Sequence, residues 1–268
     1  LVLCAALLTA LQGCSDEPPP VDAEASRELS GKAAFQTDEG VFVQPIGGKP
    51  VLVAADATYP RWSPEGARLA AVRGRQILII EPGKPHRVVA RADEPRAVAW
   101  HPDGARLYFT DADKVRSVDL SDGSVKVVAR GFTFRELDLH PDGRHMISTV
   151  RSGGVRIRSF DLATGKSRQL AKGCSASYSP DGRSVTNLLS GHQRIGLLDP
   201  HNGDRQRVLE APDGLSYDNQ FWTNDPDWIA GETEGRRRDV ILIHSSTGKV
   251  LRVTDVGNAS RADVYIDR

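Results

Sequence analysis

The sequence predicts an all-β chain folded as a six-bladed β-propeller of four-stranded antiparallel blades, closed where a C-terminal strand joins three N-terminal ones. Three observations lead there. A unit of about forty residues recurs five times, each unit divides into short strand-like runs between Gly, Asp and Pro turns, and the two chain ends carry complementary fragments of a sixth unit.

In chain order, the first element is LVLCAALLTALQGC, an uncharged apolar run too short to span a bilayer as a helix and suited to the h-region of a signal peptide. A basic n-region and an initiating Met are missing, so the chain reads as beginning inside that signal. The run ends in Leu11-Gln12-Gly13-Cys14, which resembles the bacterial lipobox: a Leu three residues before a cysteine and a small residue just ahead of it. The resemblance implies cleavage after residue 13 and lipidation of Cys14. Ser15, rather than Asp, in the next position implies sorting to the outer membrane where the envelope has one. Residues 14–31 continue as SDEPPPVDAEASRELSG after the cysteine, acidic, Pro-rich and poor in large apolar groups. Such a segment cannot offset its own ordering entropy and is expected to be a flexible tether. The ordered domain is then 32–268. Cys4 leaves with the signal and Cys14 is acylated, so Cys174 stands alone and no disulfide is expected.

The repeat is seen by aligning on an aromatic or Leu anchor: Trp62, Trp100, Leu139, Tyr178 and Trp222, spaced 38, 39, 39 and 44 residues apart. Seven residues after each anchor stands an apolar residue, Leu69, Leu107, Met146, Val185 and Ile229. Between them lies a turn, carried by Pro64 and Gly66, by Pro102, Asp103 and Gly104, by Pro141, Asp142 and Gly143, and by Pro180, Asp181 and Gly182. Within the second unit, RAVAW, RLYFT, VRSVDL and VKVVAR are four β-rich runs separated by turn residues, which is one blade. Ahead of Asp56 the chain offers three strands with no innermost one. RADVYIDR at the other end is one strand with nothing after it, and places Tyr265 at an anchor position 43 residues beyond Trp222. Joining the two fragments makes the sixth blade and leaves no open ring edge.

Trp62-Ser63-Pro64-Glu65-Gly66 and Tyr178-Ser179-Pro180-Asp181-Gly182 resemble the PD40, or WD40-like, repeats of TolB-type six-bladed propellers, and the resemblance runs from about Lys32 to the C-terminus. The fifth unit departs from it, with Thr223-Asn224-Asp225-Pro226 in the turn. The resemblance implies a protein- or peptide-binding scaffold of the bacterial envelope.

The chemistry-bearing residues fit recognition better than catalysis. Lys+Arg and Asp+Glu both total 35, so no global field favours nucleic acid, and membrane attachment falls to the lipid. His101 and His140, in HPDG, share a repeat position with Ser63, Ser179 and Thr223, so they read as the first residue of a turn rather than halves of a catalytic dyad. His86, His145, His192, His201 and His244 form no HExxH, HxH or His–carboxylate spacing, and no metal or other cofactor is expected. A G-x-S-x-G elbow is absent, no catalytic residue is assigned, and Cys174 reads as a buried, inert thiol. Four residues before each anchor stand Thr58, Arg96, Arg135, Cys174, Asp218 and Arg261. Arg96, Arg135 and Arg261 offer forks for an acidic peptide with Asp218 as internal partner, or else they solvate the rim beside Glu136, Asp138 and Asp263. Arg236-Arg237-Arg238 reads as a solvated hairpin tip. The expectation is a monomeric, lipid-anchored envelope protein whose channel mouth binds a protein or peptide. Its alternatives are a propeller enzyme of lyase, lactonase or hydrolase type, and an outer-membrane assembly scaffold.

Overall fold

The computed structural model describes residues 29–267; the signal, Cys14 and most of the tether lie outside the described residues. Those described form six antiparallel sheets arranged as the blades of a ring. From the channel outward, the first blade is Thr58–Trp62, Leu69–Arg73, Gln76–Ile80 and Arg87–Arg91, and the second is Val98–Trp100, Arg106–Asp111, Lys114–Asp119 and Val125–Arg130. The third is Thr133–Leu139, His145–Arg151, Val155–Asp161 and Ser167–Lys172; the fifth is Tyr217–Trp222, Trp228–Thr233, Val240–His244 and Val250–Arg252.

The fourth blade has three regular strands, Val185–Leu188, Arg194–Leu198 and Arg205–Glu210. Its innermost segment is held to the first of these by isolated bridges, Cys174 to Leu188 and Tyr178 to Val185. Positive φ at Gly173 and Ser175 breaks the ladder between them. The Thr186 hydroxyl repairs the gap by donating to Ser175 O at 2.8 Å and accepting from Ser177 N at 2.9 Å.

The sixth blade is the closure. Ser260–Ile266 pairs with Gly31–Thr37, which continues to Gly40–Pro45 and Val51–Ala55. The last strand also packs on the innermost strands of the first and fifth blades, so it fills the gap in the ring.

The apolar alternation explains where the core lies. Inner strands such as GKAAFQT send successive side chains to opposite faces, and both faces are covered by neighbouring blades. Ala33 and Phe35 meet Ala230 and Leu242 of the fifth blade, whereas Ala34 meets Leu69 and Ala71 of the first. Six hydrophobic clusters result among the described residues, one in each seam between blades. Outermost strands such as RVVAR face water and bury little.

Two details revise the sequence reading. The divergent fifth turn is a clamp: Asn224 Nδ2 donates to Ile266 O at 2.9 Å and Asn224 Oδ1 accepts from Ile266 N at 2.7 Å, fastening the closing strand. The basic tract is not wholly solvated either. Arg237 joins Arg252 on the buried carboxylate of Asp239, at 3.2 and 2.6 Å, and also pairs with Asp255.

Candidate functional site at the channel mouth

The anchors and the Pro-containing turns surround one mouth of the channel. Each of these turns closes on a backbone hydrogen bond from its glycine to its first residue: Gly66 N to Ser63 O, Gly104 N to His101 O, Gly143 N to His140 O and Gly182 N to Ser179 O, at 2.7–2.9 Å. The glycines have φ from +66° to +73°, which an L side chain resists. Just inside the turns, the residue before each anchor faces the channel, and six such positions line the wall: Arg61, Ala99, Asp138, Ser177, Phe221 and Asp263.

This ring corrects the register of the sixth blade. Asp263 occupies the position of Arg61 and Asp138, so Val264 and not Tyr265 stands at the anchor. Arg261 then aligns with Tyr59, Ser175 and Asn219, and all four share φ between +47° and +55°. The cause is a bulge in the closing strand, where the pairing to Gly31–Thr37 shifts between Ala34 and Gln36.

The channel positions are also the stitches between blades. Asp263 Oδ2 accepts from Trp62 N at 2.7 Å, Asp138 Oδ2 from Tyr178 N at 2.9 Å, and Ser177 Oγ from Trp222 N at 3.1 Å. In each case a side chain of one blade satisfies the anchor N–H of the next. Arg61 lies across the Phe221 ring, 3.8 Å from its centroid, and donates to Pro60 O at 2.8 Å. Burial pushes Asp263 up to about 6 against the opposing pull of Arg61, with Asp138 adding to the rise. Asp138 is raised as well, by burial, against hydrogen bonds from Ser177, Tyr178 and Leu139. The mouth opens as a cavity of about 320 Å³, with Trp62, Trp100 and Trp222 in its walls and Pro64, Pro102, Pro141 and Pro180 on its rim. The result is an aromatic funnel over a charged floor.

The four residues predicted for binding lie at the other end of the innermost strands. Arg96 is exposed and pairs with Glu94 at 3.3 Å, and Arg135 is exposed. Arg261 reaches Glu136 across the channel at 3.5 Å, and Asp218 is half-buried beside its own chain, accepting from Asn219 N at 2.8 Å. Among the described residues, no hydrogen bond or ion pair joins these four to one another. Cys174 is the free cysteine among the described residues and is half-buried, not fully buried as expected, its thiol pushed up to about 11 by burial and by Glu136.

The histidines serve their turns and more. His101 Nδ1 accepts from Asp103 N at 3.2 Å and His140 Nδ1 from Asp142 N at 3.1 Å. Each ring then spans a seam, with Nε2 at 3.1 Å from Gly143 O and at 3.2 Å from Gly182 O in the following blade. The expectation that no His–carboxylate cluster forms is corrected: His140, Asp142 and His145 place ligand atoms within 4.8 Å of one another. The spacing H-x-D-x-x-H was readable, but only a turn followed at once by a strand brings its third member round. Asp142 sits at about 2: burial raises it, and the Arg144 N–H and His145 more than reverse that.

No family model matches the chain, and no curated protein does. Solved structures do. TolB from Acinetobacter baumannii superposes with a TM-score of 0.74 at 19% identity, over 87% of this chain and 66% of that one. The fold is a TolB-like propeller. A protein described as TolB from Agrobacterium tumefaciens gives 0.66 at 15% identity, over 90% of this chain and 99% of that one. A chain of the nidogen/laminin complex gives 0.73 at 13%, over 88% and 98%. This TolB-like propeller spans about two thirds of the Acinetobacter chain.

Proposed function

We propose that this chain is a lipid-anchored protein of a bacterial envelope whose propeller docks a protein or peptide at the funnel just described. The observation that supports this reading is the floor of the funnel. One guanidinium faces two carboxylates there, and the walls are indole and proline, the residue types that grip an inserted side chain without losing much conformational freedom. Burial works against ionisation of Asp138 and Asp263, and a basic side chain stacked on the tryptophans would favour their charged forms by pairing with them. The neighbours agree in kind, since two are TolB proteins of bacteria and one comes from a complex of two proteins. Attachment is read from the lipobox-like Leu11-Gln12-Gly13-Cys14, and Ser15 after it supports an address at the periplasmic face of the outer membrane; the reading takes the propeller as a monomer on a tether. Labelled palmitate should enter the wild-type chain in cells and be lost in Cys14→Ser.

The docking surface is tested by affinity capture from envelope extracts followed by mass spectrometry. Pro102→Glu with Pro141→Glu alters two exposed rim positions, whereas Arg96→Glu with Arg135→Glu alters the opposite mouth. The rim pair is expected to lose the wild-type partner at unchanged thermal midpoint while the arginine pair keeps it. The reverse result would move the site to Arg96, Arg135 and Arg261 with Asp218, and capture unaffected by both would remove the channel from consideration.

A further inference from the structure

The turn of the third blade differs from its sisters in what neutralises its carboxylate. In the first blade Glu65 is met by Arg68 at 2.7 Å, and in the second Asp103 is met by Arg106 at 2.6 Å. The Arg106 guanidinium also lies 3.1 Å from His101 Nδ1, so a cation occupies the space between the turn histidine and the turn carboxylate. In the fourth blade Ser184 holds the equivalent position, and Asp181 accepts from the Ser179 hydroxyl at 2.6 Å. The third blade has His145 there, with Nδ1 at 2.8 Å from Asp142 Oδ2. A guanidinium, which cannot ligate, has been replaced by an imidazole, which can.

The other partners are arranged for ligation. The Gly182 carbonyl can only accept, so His140 Nε2 carries the proton and Nδ1 is the accepting nitrogen, 3.1 Å from Asp142 Oδ1; its lone pair takes the Asp142 N–H at 3.1 Å, a hydrogen bond that a bound metal would replace. A carbonyl fixing the outer nitrogen is the support that metal-bound imidazoles usually have. The cluster opens onto a cavity of about 310 Å³ that also receives Asp161 and His201. Asp161 is the cross-strand partner of His145, so a further carboxylate stands beside the cluster.

We propose that His140, Asp142 and His145 bind a borderline divalent transition-metal ion such as Zn²⁺ at the outer side of the third-blade turn. Two imidazoles and a carboxylate suit that class, whereas Ca²⁺ and Mg²⁺ need mostly oxygen ligands. Three protein ligands leave coordination positions open toward the cavity. The site lies on the outer side of a turn whose Pro141 belongs to the funnel rim, but none of its three ligands lines the funnel, and it does not depend on the reading given for it.

The test is calorimetric titration of the full chain with Zn²⁺, in parallel with His145→Arg and His192→Arg. His145→Arg restores the Arg–carboxylate pairing of the sister turns, so the metal-free thermal midpoint should not move. His192, paired with Glu234 at 3.0 Å, is a control for adventitious surface binding. The expected result is one saturable equivalent, weakened at least about 10-fold by His145→Arg and unchanged by His192→Arg, with Mg²⁺ and Ca²⁺ failing to compete. NMR should show the His140 and His145 ring resonances moving together. Absence of saturable binding, equal affinity in wild type and His145→Arg, or equal weakening by both variants would each overturn the site.

Discussion

Asp263 shows how one side chain couples channel chemistry to stability. Its folded value of about 6 lies above its ordinary 3.8, so the folded chain holds this proton more tightly than the unfolded chain does. The stability it contributes is therefore fully present below about pH 4 and is lost as pH rises through about 6. The shift corresponds to at most ~3 kcal/mol. Denaturation followed from pH 4 to pH 7 should show this decline, and Asp263→Asn, whose amide oxygen still accepts from Trp62 N, should show a smaller one. Glycine at the turns answers to the same scale. A Cβ on Gly182 would stand 2.7 Å from His140 Nε2, and one on Gly143 2.7 Å from His101 Nε2, both at positive φ. Gly182→Ala should cost about 1–3 kcal/mol in urea denaturation, more than Gly123→Ala, which also has positive φ but open space around it.

At the scale of the element, the closing strand has most to lose. Truncation after Ala259 removes Ala262, Val264 and Ile266 from a core seam and strips Gly31–Thr37 of its inner partner. The expected outcome is loss of cooperative unfolding, read by circular dichroism. Asn224→Ala, which frees one end of that strand, should cost about 1–3 kcal/mol. The strands themselves were legible because anchor, turn and apolar partner recur at fixed spacing, as in Trp100, Pro102 and Leu107. The last strand was harder to place. RADVYIDR has no Pro-Asp-Gly turn to fix its register, and the bulge beyond Ala34 is set by backbone pairing that leaves no mark in composition. Tyr265 was therefore one residue out, and Arg261 was assigned to the wrong ring of positions.

For the whole molecule, stability is distributed over six seams instead of one centre, so a cavity in one seam weakens its two blades and spares those opposite. Phe35→Ala should cost about 3–5 kcal/mol, and hydrogen exchange should rise in the fifth and sixth blades ahead of the second and third. The repeat that reveals the ring conceals the mouth. Arg61, Ala99, Asp138, Ser177, Phe221 and Asp263 are equivalent in space and unlike in chemistry, because the repeat preserves what the backbone needs and leaves the channel face free to vary. Only closing the ring sets Arg61 between Asp138 and Asp263. Closure also has a kinetic side. Blades one to five each form from contiguous chain, whereas the sixth joins segments about as far apart as Ser30 and Asp267, 237 residues away. Loops of that length are slow to close, so the split blade is a latch that sets last on folding and opens first on unfolding. A circular permutant that joins the present termini and opens the chain between two whole blades would make every blade contiguous, and should fold faster at nearly unchanged equilibrium stability.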